Sequence, residues 1–124
     1  MAEETVDAAV SAARLSAGPC RTASIPLVGA ATVASLASIQ APRTLVRRYG
    51  TEARLVLAIA ETMAGGLEPI ADGIDVCAAE LAFSVRYEGA RSADDLLDRR
   101  TRIGLVESDR FRARTAGERA LREN

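Results

Sequence analysis

Residues 51–66, TEARLVLAIAETMAGG, carry the clearest periodicity in the chain, with Leu55, Val56, Ile59, Ala60 and Met63 recurring three and four positions apart. That spacing sets the apolar side chains on one side of a helix, where they need other elements to cover them. Thr51 stands where an N-cap is expected and Gly65-Gly66 where a helix ends. No stretch alternates apolar and polar residues as a half-buried strand does, and no segment repeats. The supply of side chains agrees: 25 of the 124 residues are alanine and only 3% are aromatic. Strands draw on aromatic and β-branched residues, whereas closely packed helices tolerate alanine well. A chain of this length reads as one domain with a modest core. The expected fold is all-α, a small bundle of about five to six helices with an N-terminal helix and an extended linker.

The remaining segments fit that frame. EETVDAAVSAARL sets Val6, Ala9, Val10 and Ala13 on one face and stops at Gly18-Pro19. From Thr22 to Pro42 run 21 residues without a charge. That is long enough to span a bilayer, but two prolines, a glycine and several Ser/Thr leave the run weakly apolar and broken, which lipid penalises. It reads as a linker with a short helix, not as a membrane segment. PRTLVRRYG forms a short helix closed by Gly50, and DVCAAELAFSVRYEG a longer one with Asp75 as cap and Cys77, Ala78, Leu81 and Val85 on one face. SADDLLDRRTRIGLV opens with Ser92 and Asp95 in the Ser-x-x-acid relation of a capping box. The charged tail SDRFRARTAGERALREN closes the chain as a further helix.

The absent residues narrow the chemistry. Histidine is missing altogether, and with it the commonest proton shuttle and metal ligand. Cys20 and Cys77 are far apart, with no C-x-x-C, so neither a zinc site nor a redox pair is expected. The chain has no G-x-G-x-x-G, no P-loop and no G-x-S-x-G. No catalytic, cofactor-binding or metal-binding residue is therefore assigned. Two unpaired thiols suit a reducing, cytoplasmic setting.

Residues 85–102, VRYEGARSADDLLDRRTR, hold five arginines and four acids in eighteen positions. Nucleic-acid binding needs a basic face that releases counterions from phosphates. Here the acids oppose the arginines, and no nucleic-acid role is expected. Asp95 precedes Arg99 by four and Asp98 precedes Arg102 by four, the favourable order for pairing along a helix. Glu88 follows Val85 by three and Arg100 follows Leu96 by four, which sets an acid and an arginine on facing apolar stripes. The expectation is a half-buried Glu88–Arg100 bridge between adjacent helices.

The run AAELAFSVRYEGARSADDLLDRRTRIGLV, residues 78–106, resembles the C-terminal helical domain of FAD-dependent (aerobic) glycerol-3-phosphate dehydrogenases and the related α-glycerophosphate oxidases. That family shows A-E, then V-R-H-E-x-A, then D-x-L-x-R-R-T-R. Here Glu80, Val85, Arg86, Glu88, Ala90, Asp95, Leu97, Arg99, Arg100, Thr101 and Arg102 match, and Tyr87 stands in place of the family's usual histidine. GPCRTASIPLVGA (18–30), LVRRYGTEA (45–53) and EPIADG (68–73) are also similar to that domain. The resemblance implies three parts: residues 1–17, a helix resembling the end of the flavin domain; 18–42, an uncharged linker; and 43–124, the helical C-terminal domain. Met1 then resembles an internal methionine of a longer enzyme.

What the resemblance implies for function is an accessory domain of an enzyme that oxidises glycerol 3-phosphate to dihydroxyacetone phosphate and passes the electrons through FAD to a quinone. FAD and the catalytic residues would belong to the rest of that enzyme, and this chain would hold neither. Its expected partner is the flavin-binding catalytic domain, with self-association as a second role and the parent peripheral at the inner membrane face. The structural and interaction residues are Glu80, Arg86, Glu88, Asp95, Arg99, Arg100 and Arg102. The alternative reading is a free-standing helical interaction module that binds a protein or, through Arg99, Arg100 and Arg102, an anion.

Overall fold

A computed structural model describes residues 1–124 as six α-helices joined by loops and short turns, with no strand. They are α1 (Ala2–Ala12), α2 (Val33–Ala37), α3 (Arg43–Tyr49), α4 (Ala53–Glu61), α5 (Ala78–Arg86) and α6 (Glu107–Glu123). Between α5 and α6 lies a π-helical segment, Asp95–Arg100. The all-α bundle, the N-terminal helix and the extended linker are as the sequence leads one to expect.

Helix α5 is the axis of the domain. Residues 79–84 are all buried, so it is covered on more than the single face that its Cys77, Ala78, Leu81, Val85 stripe suggests. Ala79, Ala82 and Phe83 pack with Leu45 of α3, with Val56, Ile59 and Ala60 of α4, and with Ile39. Leu81 joins a second cluster with Leu96 and Leu97 of the π-helical segment, Ile103, and Ala113 and Ala120 of α6. The third face of α5 is polar, with Glu80 and Ser84 one turn apart and Glu88 a further turn on, just past the helix end. Phe83 also meets Tyr49 edge-on, centroids 5.1 Å apart, and stacks on Tyr87 at 5.3 Å.

Several helix ends differ from their sequence-based expectation. α4 is preceded by a 3-10 turn, Gly50–Glu52, and Thr51 provides no side-chain cap. α4 also stops at Glu61, a turn before Gly65-Gly66. Asp75 does not cap α5: the N-cap position is Cys77, whose backbone N–H donates to Glu80 at 2.8 Å. An acid two positions too early for the helix start cannot reach its first free N–H groups, so the buried Glu80 takes that role. α1 ends at Ala12, well before Gly18-Pro19, with Arg14 in the left-handed region.

Residues 1–38 form an arm that contributes no buried residue to the molecule. The stripe on α1 is left open, with Val6 exposed and Val10 only half-buried. Beyond the half-buried Leu36, which packs against the first cluster, the arm is held by one backbone contact, where Thr51 N–H donates to the carbonyl of Gly29 at 3.0 Å. That contact depends on glycine at both ends. Gly29 and Gly50 have positive φ, a Cβ on Gly29 would come 2.6 Å from the Tyr49 carbonyl oxygen, and one on Gly50 would collide with Gly29 itself.

Candidate functional site: a charged cleft beside the central helix

The polar face of α5 opens into a cleft of about 460 Å³ lined by Arg48 and Tyr49 of α3, Val76, Glu80, Glu88, Arg100, Thr101 and Arg102. It brings together side chains spread over fifty-odd positions of sequence. Three features build it.

The first is Glu80, which is 2% exposed. A buried carboxylate must be paired or protonated. Glu80 accepts from the guanidinium of Arg48 at 2.8 Å and, through its other oxygen, from the Cys77 N–H at 2.8 Å. Arg48 bridges onward to the exposed Asp75 at 2.9 Å. One side chain thus caps α5 and anchors α3 to it. Tyr49 lies beside this pair. Burial, followed by the nearby Glu80 and Glu88 carboxylates, pushes its hydroxyl far above the ordinary phenol range. Burial likewise raises the Cys77 thiol.

The second is the Ser84–Glu88–Arg100 group. Ser84, fully buried, donates its hydroxyl to the Glu88 carboxylate at 2.7 Å. Arg100 reaches the same residue, but its guanidinium donates to the backbone carbonyl of Glu88 at 2.7 Å and not to the carboxylate. The expected Glu88–Arg100 bridge is therefore a contact of a different kind. Glu88 lies past the end of α5, where its carbonyl lacks an in-helix donor and takes the guanidinium.

The third is the π-helical segment itself. Asp95 accepts from the N–H groups of Arg91 and Ser92, while Ser92 accepts from the Asp95 N–H, so the Ser-x-x-acid box forms as its spacing suggests. Asp95 also pairs with Arg99 at 2.6 Å. The Arg91 N–H first, then Ser92 and Arg99, hold its carboxyl below the usual range. The second expected pair is absent: Asp98 bonds Arg110 of α6 at 2.9 Å, not Arg102. The helix ends at Arg100, and Arg102 turns into the left-handed region (φ 59°, ψ 16°), which carries it off the face of Asp98 and into the cleft. Arg110 correspondingly lowers the Asp98 carboxyl.

Of the seven residues the sequence singles out, Glu80, Glu88, Arg100 and Arg102 line the cleft. Asp95 and Arg99 pair with each other elsewhere, and Arg86 lies exposed in the last turn of α5. Arg48, Tyr49 and Ser84 complete the site and were not singled out. The signal for Arg48 was indirect: an acid within a helix as apolar as AAELAFSV needs a cation, and LVRRYG offers one on a neighbouring short helix. No group of three or more Cys, Asp and Glu is placed to hold a metal ion, and no helix is long and apolar enough to cross a membrane.

Residues 20–120 match the family described as the C-terminal domain of alpha-glycerophosphate oxidase. Proteins named glycerol-3-phosphate dehydrogenase 1 from Mycobacterium bovis and from two strains of Mycobacterium tuberculosis are each 48% identical over 115 residues. The match covers 90% of this chain and 22% of each relative's own length. No solved structure matches the chain.

Proposed function

This chain belongs to the family of C-terminal domains of alpha-glycerophosphate oxidase, and from that premise we propose that it serves as the accessory domain of a flavin-dependent glycerol-3-phosphate dehydrogenase. The whole enzyme oxidises glycerol 3-phosphate to dihydroxyacetone phosphate and passes the electrons through FAD to a quinone. The observation that carries the proposal is the 48% identity along 90% of the chain to relatives of which it spans only 22%. A domain of that share, matched almost end to end, performs one part of a larger polypeptide's work.

That part is support of the catalytic body. The fold has no strand–turn–helix unit of the kind that seats a dinucleotide, so its residues do not fit FAD, and no step of the oxidation is assigned to them. What favours docking is the arm, with exposed Val6, Leu15, Ile25, Leu27, Val28 and Val33 in a segment that buries nothing of its own. Such a surface calls for a second body. Residues 1–17 and the 18–42 linker lie along the flavin-binding domain in this reading, and residues 43–124 brace it, in the cytoplasm.

Co-expression with the flavin-binding remainder of the enzyme tests the proposal. The two pieces should co-purify and oxidise glycerol 3-phosphate, and this chain alone should be colourless and inactive. A remainder that is equally active and stable without the domain, or a stoichiometric flavin band on this chain alone, overturns it.

A further inference from the structure

We infer that the cleft beside α5 is an oxyanion site, with Arg100 and Arg102 as its donors and Arg48 as its fixed wall. The inference rests on this chain's geometry and does not depend on the proposed enzyme.

In the domain Arg48 pairs with Glu80 and Asp75, Arg99 with Asp95, Arg110 with Asp94 and Asp98, Arg112 with Asp109, Arg114 with Glu118, and Arg119 with Glu123, while the exposed Arg43, Arg47, Arg54, Arg86, Arg91 and Arg122 make no ion pair. Arg100 and Arg102 likewise lack an ion pair, but they border a single cleft together with Arg48. Arg100 commits a single side-chain N–H, to a neutral carbonyl, and the Arg102 side chain makes no ion pair or hydrogen bond. Two guanidinium groups thus face one concavity with most of their donors unspent, in the fork geometry that suits carboxylate and phosphate oxygens.

The backbone is arranged for it. Five glycines supply the chain's left-handed turns, yet at Arg102 an arginine takes that conformation. Arg14, the other such residue, follows α1 in the exposed arm. At Arg102 the left-handed turn comes directly after a π-helical segment, itself an uncommon geometry that recurs at functional sites. Thr101 locks the junction, with its N–H and its hydroxyl both donating to the Leu96 carbonyl, at 2.9 and 2.8 Å.

Two carboxylates oppose an anion here, and both are already engaged. Glu80 is matched by Arg48 and the Cys77 N–H, and Glu88 accepts from Ser84. Three arginines against two glutamates leave the lining with one positive charge in excess. Binding should therefore be salt-sensitive. The same oxygens could come from a phosphorylated small molecule or from an acidic side chain of a docked protein.

The test is a titration of the 15N-labelled chain with inorganic phosphate at constant ionic strength, repeated with acetate. Resonances of Thr101, Arg102 and the arginine Nε–H groups of the cleft should shift saturably. Arg102→Ala should weaken that response at least tenfold, while Arg114→Ala on α6 leaves it unchanged. Arg102→Gly, which keeps the left-handed turn without the side chain, guards against a folding artefact and should behave as Arg102→Ala does. A phosphate response with little from acetate identifies the phosphorylated source, and comparable responses identify the carboxylate. Linear shifts spread over the surface arginines, or saturable ones that survive both Arg102 variants, overturn the inference.

Discussion

The arm and the domain invert the usual relation between apolar sequence and burial. Residues 22–42 carry no charge, yet Ile25, Leu27, Val28 and Val33 are all exposed; residues 85–102 are half charged, yet Leu96 and Leu97 are almost completely buried. What separates them is whether the elements that carry the apolar groups have neighbouring elements to pack against. The arm is broken by Pro19, Pro26 and Gly29, and α2 is only five residues long. A helix that short cannot present a stripe to the core and is not stable alone. In the domain, α4 and α6 both pack against α5, and the charges sit on the outer faces or bridge one element to the next. Apolar content, then, measures the need for cover and not the presence of it.

The sharpest way to break the contrast is to empty the domain's centre. Phe83→Ala removes the ring between Tyr49 and Tyr87 in a site that is 1% exposed, and should cost about 3–5 kcal/mol in urea unfolding. A loss under about 1 kcal/mol would mean that α5 is not the axis of the fold. Next comes the bridge that ties α3 to α5. Arg48→Ala leaves the Glu80 carboxylate buried with one N–H, and should cost about 2–4 kcal/mol, at the lower side of buried-pair losses because Arg48 is partly exposed. Adding Glu80→Ala should recover part of that loss; strict additivity in the cycle would show that the two do not act together.

The junction between the two regions comes third. Gly50→Ala forces an alanine at positive φ against the Gly29 backbone and should cost about 1–3 kcal/mol. It should also free the arm, seen as faster amide exchange at Thr51, whose N–H donates to Gly29. Unchanged exchange there would show that the arm is held by something else.

Proton linkage tests the domain alone. Asp95 and Asp98 have folded values below the usual range, so their contribution is present above it and disappears as pH falls through the lowered values. Tyr49 and Cys77 behave oppositely: the folded chain holds protons that the unfolded chain releases, and stability falls as pH rises past the ordinary thiol and phenol values of about 8.5 and 10. A melting temperature that is flat on both sides of neutrality contradicts this, and Tyr49→Phe should flatten the alkaline side. The smallest effect belongs to the arm. Val28→Ser, at a site 83% exposed, should change the stability of this chain by less than about 0.5 kcal/mol. In the presence of a docked catalytic body the same change should matter, and a comparable cost in the isolated chain would mean that the arm is already covered.

Sequence alone was enough for the features that depend on near neighbours. The helical class, the short helix ending at Gly50, the Ser92–Asp95 box and the Asp95–Arg99 pair all follow from spacings of three or four residues, and such spacings are geometry before any tertiary contact exists. The match to the glycerophosphate family came from linear motifs for the same reason. The features that needed the folded molecule are those whose partners are distant in sequence. Arg48 meets Glu80 across 32 positions, and Asp98 meets Arg110 across 12. Asp75 reads as a cap and Arg102 as a partner for Asp98 on local rules alone. Both readings failed because a helix can start two residues later, or end in a left-handed turn, when burial elsewhere favours it. Burial also decided that α5 is enclosed on its apolar faces and that α1, with a better-looking stripe, is not. A stripe states that a surface wants cover; only the tertiary structure decides which surfaces meet, because the free energy of burial belongs to pairs of elements and not to either one.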